Sequence, residues 1–382
     1  MIKPPKLPDF SQYLRREPVV LAVLSGLAII LILAVGGVSR VFHAQQDALA
    51  ARWSARGEAD LKARNFDAAV VEFRAALRYS RGDYGYQLSL AQALLGMKRT
   101  DEAYAYLINL WGREPENGLV NLELARIAAS RGDTEHALRF YHNAIYATWP
   151  DNQETDSMNA RLELIHYLLG INAKTQAQAE LIALEATTGD NAAQEVQLGN
   201  LFLRAKDENH ALEAYRRSLR LKRDNPEALA GAGKAAFQLG LYPMAHRYLE
   251  SAVAISPGDK ESAALLRTTR FVLHLDPFRA QLPVARRNRI VIEAFAAAGN
   301  RLKSCAAPAN AHAAPALVQN LTQQWTKLKP QITERGIRQN PDLANTAMSL
   351  VFNIERQTET ECGAPTETDT ALLLIASLHE EN

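Results

Sequence analysis

Six alanines recur along this 382-residue chain on one beat: Ala69, Ala103, Ala137, Ala177, Ala211 and Ala245. The steps are 34, 34, 40, 34 and 34 residues. A fixed period of that length specifies an array of helical hairpins, because each short unit can bury its apolar face only against its neighbours. Such arrays grow by stacking and present extended surfaces, and they seldom carry out chemistry themselves.

The period runs deeper than one residue. Four places after each alanine stands Phe73, Leu107, Tyr141, Leu181, Tyr215 or Leu249, and three further on Ala76, Leu110, Ala144, Leu184, Ser218 or Ala252. Twelve places before each alanine the residue is Gly57, Ala91, Ala125, Ile165, Gly199 or Gly233. This pattern resembles the tetratricopeptide repeat (TPR) over residues 50–259, as six units at 50–83, 84–117, 118–151, 158–191, 192–225 and 226–259. The resemblance implies an all-α, right-handed superhelix of paired helices A and B. The small residues then let A and B approach closely, and the bulky residue is expected to fill the space between one hairpin and the next.

Turn chemistry agrees. Gly132-Asp133, Lys206-Asp207 and Gly240-Leu241 fall between helices A and B, and Pro115 and Pro257 follow helix B, where proline prevents continuation. Trp53 stands where the family often has tryptophan, whereas Arg56 replaces its usual leucine, as suits a terminal unit. An insertion near Asp151–Ser157 stretches the step to the fourth unit, where Ile165 takes the small-residue position.

Residues 18–39 read PVVLAVLSGLAIILILAVGGVS, without a charge. About 20 apolar residues at ~1.5 Å each span a ~30 Å hydrocarbon core. A cleaved leader would have a shorter apolar region and a small-x-small site; here Arg40 follows directly, which favours an anchor. Lys3, Lys6, Arg15 and Arg16 in segment 1–17 oppose Arg40, Arg52 and Arg56 beyond the span. Short loops weigh most in orientation, so the expectation is a single-pass inner-membrane protein with residues 1–17 cytoplasmic and the repeats outside. The Ala22-x-x-x-Gly26 pair offers a contact through which anchors could form a homo-oligomer.

Beyond the repeats, residues 260–276 read as an amphipathic helix capping the last hairpin, and 281–382 as a helical domain. Its helices are expected at 283–304, 317–334 and 342–360, with the stretch AAPANAHAAPA between the first two. If they pack up-down-up, Cys305 and Cys362, the two cysteines of the chain, meet at one end. A disulfide there would indicate an oxidising compartment; the alternative is two unpaired thiols. Thr366 and Asp369 form a capping box ahead of ALLLIASLH.

No catalytic constellation is present. Motifs for zinc hydrolysis, serine nucleophiles, phosphate loops and calcium loops are absent, so neither a metal nor a cofactor is expected. A net charge of +1, spread without long runs, gives no field for nucleic acid. An enzyme in the C-terminal domain would need clustered titratable groups, for instance Glu355, His379 and Arg335.

Binding has the better basis. The resemblance implies that helix A lines a concave face. Its fifth position gives Ser54, Leu88, Leu122, Leu162, Val196 and Ala230, and its ninth Glu58, Gln92, Arg126, His166, Asn200 and Lys234. The twelfth gives Leu61, Leu95, Ala129, Leu169, Leu203 and Phe237, and Arg204 follows at a thirteenth. An apolar row beside a polar, partly basic row suits an extended or helical peptide, although the leucines could equally pack against neighbouring helices. The chaperone-tail clamp of some relatives is unsupported, since only Asn200 fits and Val196 stands where lysine would be. The function expected is a non-enzymatic membrane-anchored scaffold that gathers envelope proteins or peptides; the alternative is a membrane-tethered chaperone for translocated, unfolded chains.

Overall fold

The computed structural model describes residues 11–149, 153–187, 189, 191–306 and 316–380. Residues 1–10 of the N-terminal segment, the start of the insertion at 150–152, most of the breaker stretch (307–315) and the last two residues lie outside them. The described residues form 18 helices and no strand; one isolated parallel bridge joins Asn117 and Thr148. Two compact units divide the chain, residues 1–164 and 165–382.

In the first unit α1 (Ser11–Lys62) pairs with α2 (Phe66–Tyr79), α3 (Tyr84–Gly96) with α4 (Thr100–Arg113), and α5 (Gly118–Ser130) with α6 (Thr134–Tyr146). The anchor expected at 18–39 and helix A of the first repeat are one helix of 52 residues. Residues 40–50, RVFHAQQDALA, hold no glycine or proline, so nothing interrupts the helix between them. The side chains from Val20 to Phe42 are almost all exposed, with Ile32 at 70 % and Leu33 at 69 %, and among the described residues this helix is long and apolar enough to cross a membrane.

Helix α7 (Gln153–Gly170) straddles the division between the units. In the second unit α8 (Lys174–Glu185), α9 (Ala192–Arg204), α10 (Glu208–Leu221), α11 (Pro226–Gln238), α12 (Tyr242–Ile255) and α13 (Lys260–Leu275) pack in sequence. The chain then forms α14 (Val284–Ala306), α15 (Ala316–Leu328), α16 (Glu334–Gln339), α17 (Asp342–Glu361) and α18 (Glu367–Glu380). Helix α14 packs on α17, and α18 lies against both α13 and α17.

All six beat alanines are fully buried. A Cβ added at Gly57 would meet Phe73 at 2.9 Å, at Gly199 Tyr215 at 2.7 Å, and at Gly233 Leu249 at 2.6 Å. In these three hairpins the bulky residue therefore covers the small residue of its own hairpin, where it was expected in the space between one hairpin and the next. Tyr215 does both: its ring also abuts Gly231 of the next unit.

Two further periodic signals emerge. Asp83, Asn117, Asn191, Asn225 and Asp259 each cap the following helix, accepting hydrogen bonds from its first backbone N–H groups. Such caps contribute about 1 kcal/mol each. One residue in every A–B turn has positive φ: Arg64, Lys98, Gly132, Asn172, Lys206 and Gly240, spaced as the alanines are. At the stretched third step, which leads to the fourth unit, the periodic cap is missing. Ser157 occupies the capping slot but lies inside α7, and its hydroxyl donates to the Ile145 carbonyl at 2.6 Å. Helix α7 consequently has 18 residues, against 13 in α5 and α9. The indole of Trp149 covers Gly118 and donates from Nε1 to the Ala144 carbonyl at 3.0 Å.

The C-terminal domain differs from expectation at its second helix, which stops at Leu328 instead of reaching residue 334. Pro330 follows, and a separate short helix, α16, starts from Thr333, whose side chain accepts from the Gly336 N–H at 3.0 Å.

Candidate functional site

The polar ninth-position row is exposed or half-buried, and most of it is already engaged. Arg126 is exposed on α5; its Nε donates to Glu163 at 2.9 Å and a terminal nitrogen to Glu123 at 2.8 Å. The hydrogen bond to Glu163 strengthens the guanidinium's hold on its proton, and burial pushes the Glu123 carboxyl up. Gln92 and Leu88 are half-buried on α3, and Leu162 is half-buried on α7.

In the second unit Arg204 approaches His166, terminal nitrogen to Nδ1, at 3.5 Å. Both side chains are exposed, as is Asn200 one turn before Arg204. Asn200 Oδ1 accepts from the Tyr215 hydroxyl at 2.6 Å, which fixes its amide while leaving the NH₂ end to donate. Burial raises the Tyr215 pKa, so the hydroxyl remains a donor at neutral pH. Lys234 is ion-paired with Glu261 at the start of α13.

The apolar rows behave differently. Leu122 and Val196 are only 5 % and 4 % exposed, so their side chains belong to packing between helices. Phe237 is half-buried, meets Tyr242 edge-on at 5.5 Å, and packs against the C-terminal core. What the structure brings together in the second unit is therefore a polar cluster of His166, Asn200 and Arg204, with Lys234 held by Glu261. The carboxylates on Arg126 and Lys234 went unread in the sequence. Glu123 could have been found from its i,i+3 spacing to Arg126, whereas Glu163 and Glu261 lie 37 and 27 residues from their partners.

The Cys305 and Cys362 sulfurs are in contact, with Cα atoms 4.9 Å apart, inside the range a disulfide requires. One helical turn before Cys305, the Arg301 side chain is buried. It donates to the Thr358 carbonyl at 2.9 Å, the Gly363 carbonyl at 2.8 Å and the Ala364 carbonyl at 3.3 Å, closing the end of α17. The Thr366–Asp369 capping box is present: Thr366 N–H donates to Asp369 at 2.8 Å and Asp369 N–H to the Thr366 hydroxyl at 3.3 Å. Glu355 is 1 % exposed and both its carboxyl oxygens are buried without a hydrogen-bond partner. Burial pushes its pKa up to about 8; Asp369 adds to the rise and Arg301 opposes it. His379 pairs instead with Asp276 at 3.3 Å, and Arg335 is exposed on α16. Glu355, His379 and Arg335 thus have separate surroundings. Among the described residues no three His, Cys, Asp or Glu side chains converge as a metal-ligand set.

Residues 196–260, which run from within α9 to just past the end of α12, match the tetratricopeptide repeat family in sequence. The chain carries tetratricopeptide repeats. Proteins built from these repeats mediate protein–protein interactions. Among curated proteins none matches the chain. Solved structures similar to it include the C-terminal part of a TPR repeat-containing protein from Cytophaga hutchinsonii, 12 % identical, covering 80 % of this chain and 97 % of that one with a TM-score of 0.43. YrrB, a TPR protein described as having an unusual peptide-binding site, is 14 % identical over 50 % of this chain and 95 % of its own, with a TM-score of 0.39. PilF of Pseudomonas aeruginosa is 17 % identical over 50 % of this chain and 84 % of its own, with a TM-score of 0.33.

Proposed function

We propose that this protein is a non-enzymatic scaffold, held in the inner membrane by α1, whose TPR helices capture a protein or peptide partner in the cell envelope. The observation that carries the reading is the exposed polar cluster of His166, Asn200 and Arg204 on helices α7 and α9. The Arg204 guanidinium, with no carboxylate within ion-pair distance among the described residues, offers hydrogen bonds and charge to a partner carboxylate or main-chain carbonyl. In the first unit, Leu88, Gln92, Arg126 and Leu162 are offered as the corresponding contacts, with Lys234 contributing in the second.

The anchor restricts the search for a partner to two dimensions and raises its effective concentration. The apolar helix supports membrane insertion, and the paired cysteines support a location for the repeats and C-terminal domain outside the cytoplasm, with residues 1–17 inside. Gly26 has open space around it and leaves room for a second anchor helix. A chaperone for unfolded chains would present its apolar rows to solvent. Leu122 and Val196 are buried and Phe237 is packed in a core, which favours a scaffold that reads polar groups.

The test is co-purification from native membranes with the paired substitution His166→Ala and Arg204→Glu. Loss of the bound partner, with helicity and membrane extraction unchanged, is expected. Retention of every partner by this variant refutes the binding face. Leu122→Asp would not discriminate, because a buried aspartate disrupts the fold itself.

A further inference from the structure

We infer that the start of α14, together with α16, is an edge that docks on an anionic phospholipid surface. This goes beyond the scaffold reading, which gives the C-terminal domain no task. Helix α14 opens with VARRNR and has no acidic residue in its first turn. Cations at a helix N-terminus oppose the helix dipole, and three arginines crowd here where acidic residues would be stabilising. Helix α16, packed against α14, adds the exposed Arg335 and Arg338. One carboxylate stands against them: Glu334 lies 3.8 Å from Arg289, and both side chains are more than half exposed. Exposed Arg286 has no ion pair among the described residues.

Charge alone would suit any anion, but the same edge carries exposed apolar side chains. Val284 is 66 % exposed two residues before Arg286, and Phe278, 38 % exposed, follows Pro277, whose carbonyl accepts from Arg287 at 3.1 Å; one side of its ring rests on His379 at 4.5 Å. Arginines beside exposed apolar surface match a bilayer interface, where headgroup phosphates take the charge and the acyl boundary takes the apolar groups.

The test uses the full chain reconstituted in vesicles of phosphatidylcholine alone or with about one-third phosphatidylglycerol. A fluorophore at Ala285→Cys reports proximity to quencher-bearing lipid. The expected result is quenching in the anionic vesicles only, reversed by high salt. Arg286→Gln with Arg289→Gln, which spares the Arg287 bond to the Pro277 carbonyl, should weaken docking by roughly 25-fold, about fivefold per charge. Equal quenching in both lipids overturns the proposal. So does a poly-glutamate peptide that alters the probe signal in neutral vesicles and abolishes quenching in anionic ones, since the edge would then be a peptide site. Carbonate extraction scores insertion of α1 separately, so a failure of the anchor and a failure of this edge are distinguishable.

Discussion

Substituting Gly199 with alanine sets helix propensity against packing, and the structure decides the sign. Alanine in a helix is favoured over glycine by about 1 kcal/mol, so local preference alone predicts stabilisation. The added Cβ, however, would lie 2.7 Å from Tyr215 Cε1 and 2.8 Å from its Cζ. Carbon atoms pack best at about 3.5–4.0 Å, so the ring would have to yield by roughly 0.8 Å. It has nowhere to go. Tyr215 is fully buried, its hydroxyl is bound to Asn200 at 2.6 Å, and Gly231 closes the other face. Overpacking of this kind costs about 1–3 kcal/mol, which against the propensity gain leaves Gly199→Ala between neutral and a net loss of about 2 kcal/mol, with no net stabilisation. Gly112, in the last turn of α4, has nothing within 4 Å of an added Cβ, so Gly112→Ala should be neutral or stabilising by about 0.5 kcal/mol. Urea unfolding of the full chain in detergent, followed by helical circular dichroism, gives both midpoints. Combining Gly199→Ala with Tyr215→Leu should show a favourable coupling, because the smaller side chain relieves the clash. If Gly199→Ala raises the midpoint as Gly112→Ala does, the close approach does not constrain the hairpin and the reasoning is refuted.

Lys206 has φ of 62° in an A–B turn, the position that Gly132 and Gly240 fill in two of the other hairpins. Lys206→Gly should therefore stabilise by about 0.5–1 kcal/mol in the same unfolding experiment, despite losing a side chain. Burial holds the Glu355 pKa up at about 8 in the folded state, above the ordinary carboxyl value of 4.5. The native state then binds the extra proton, so stability from this group is full below pH 4.5, falls as pH rises, and is lost above about 8, a span of a few kcal/mol. Glu355→Gln should flatten that dependence in unfolding curves measured across this range. A Cys305–Cys362 bond closes 57 residues, and its reduction should cost the C-terminal domain about 4 kcal/mol in the chain-entropy account. Mass analysis with and without reductant, paired with denaturation of Cys305→Ser, checks both the bond and its contribution.

The fold was readable wherever a constraint repeats. Each beat alanine is fully buried, so a larger side chain there would overpack its surroundings, and the period survives in the sequence. The caps at Asp83, Asn117, Asn191, Asn225 and Asp259 carry the same period and could have been counted too. The left-handed turn residues were harder to see, because only two of the six are glycine and the packing around them tolerates Arg64, Lys98, Asn172 and Lys206. Outside the array, nothing repeats. The closure of α17 by Arg301 joins residues 57 to 63 apart and leaves no local pattern. The proposed binding face was legible in position but not in state. Counting along helix A found Arg126 and Lys234, yet whether a charge is free depends on a carboxylate from another helix. Likewise Leu122 and Val196 read as apolar contacts for a partner, and it is their burial, set by neighbouring helices, that removes them.

The central claim is that the helix A surface of the second unit holds a protein partner at the membrane. Photocrosslinking in native membranes tests it most directly, with a photoreactive residue placed at exposed Arg204 and, as a control, at exposed Asp224 in the turn after α10. The account predicts a discrete protein adduct from position 204 that is absent from position 224 and lost with His166→Ala. No adduct at 204, or the same products from both positions, contradicts it.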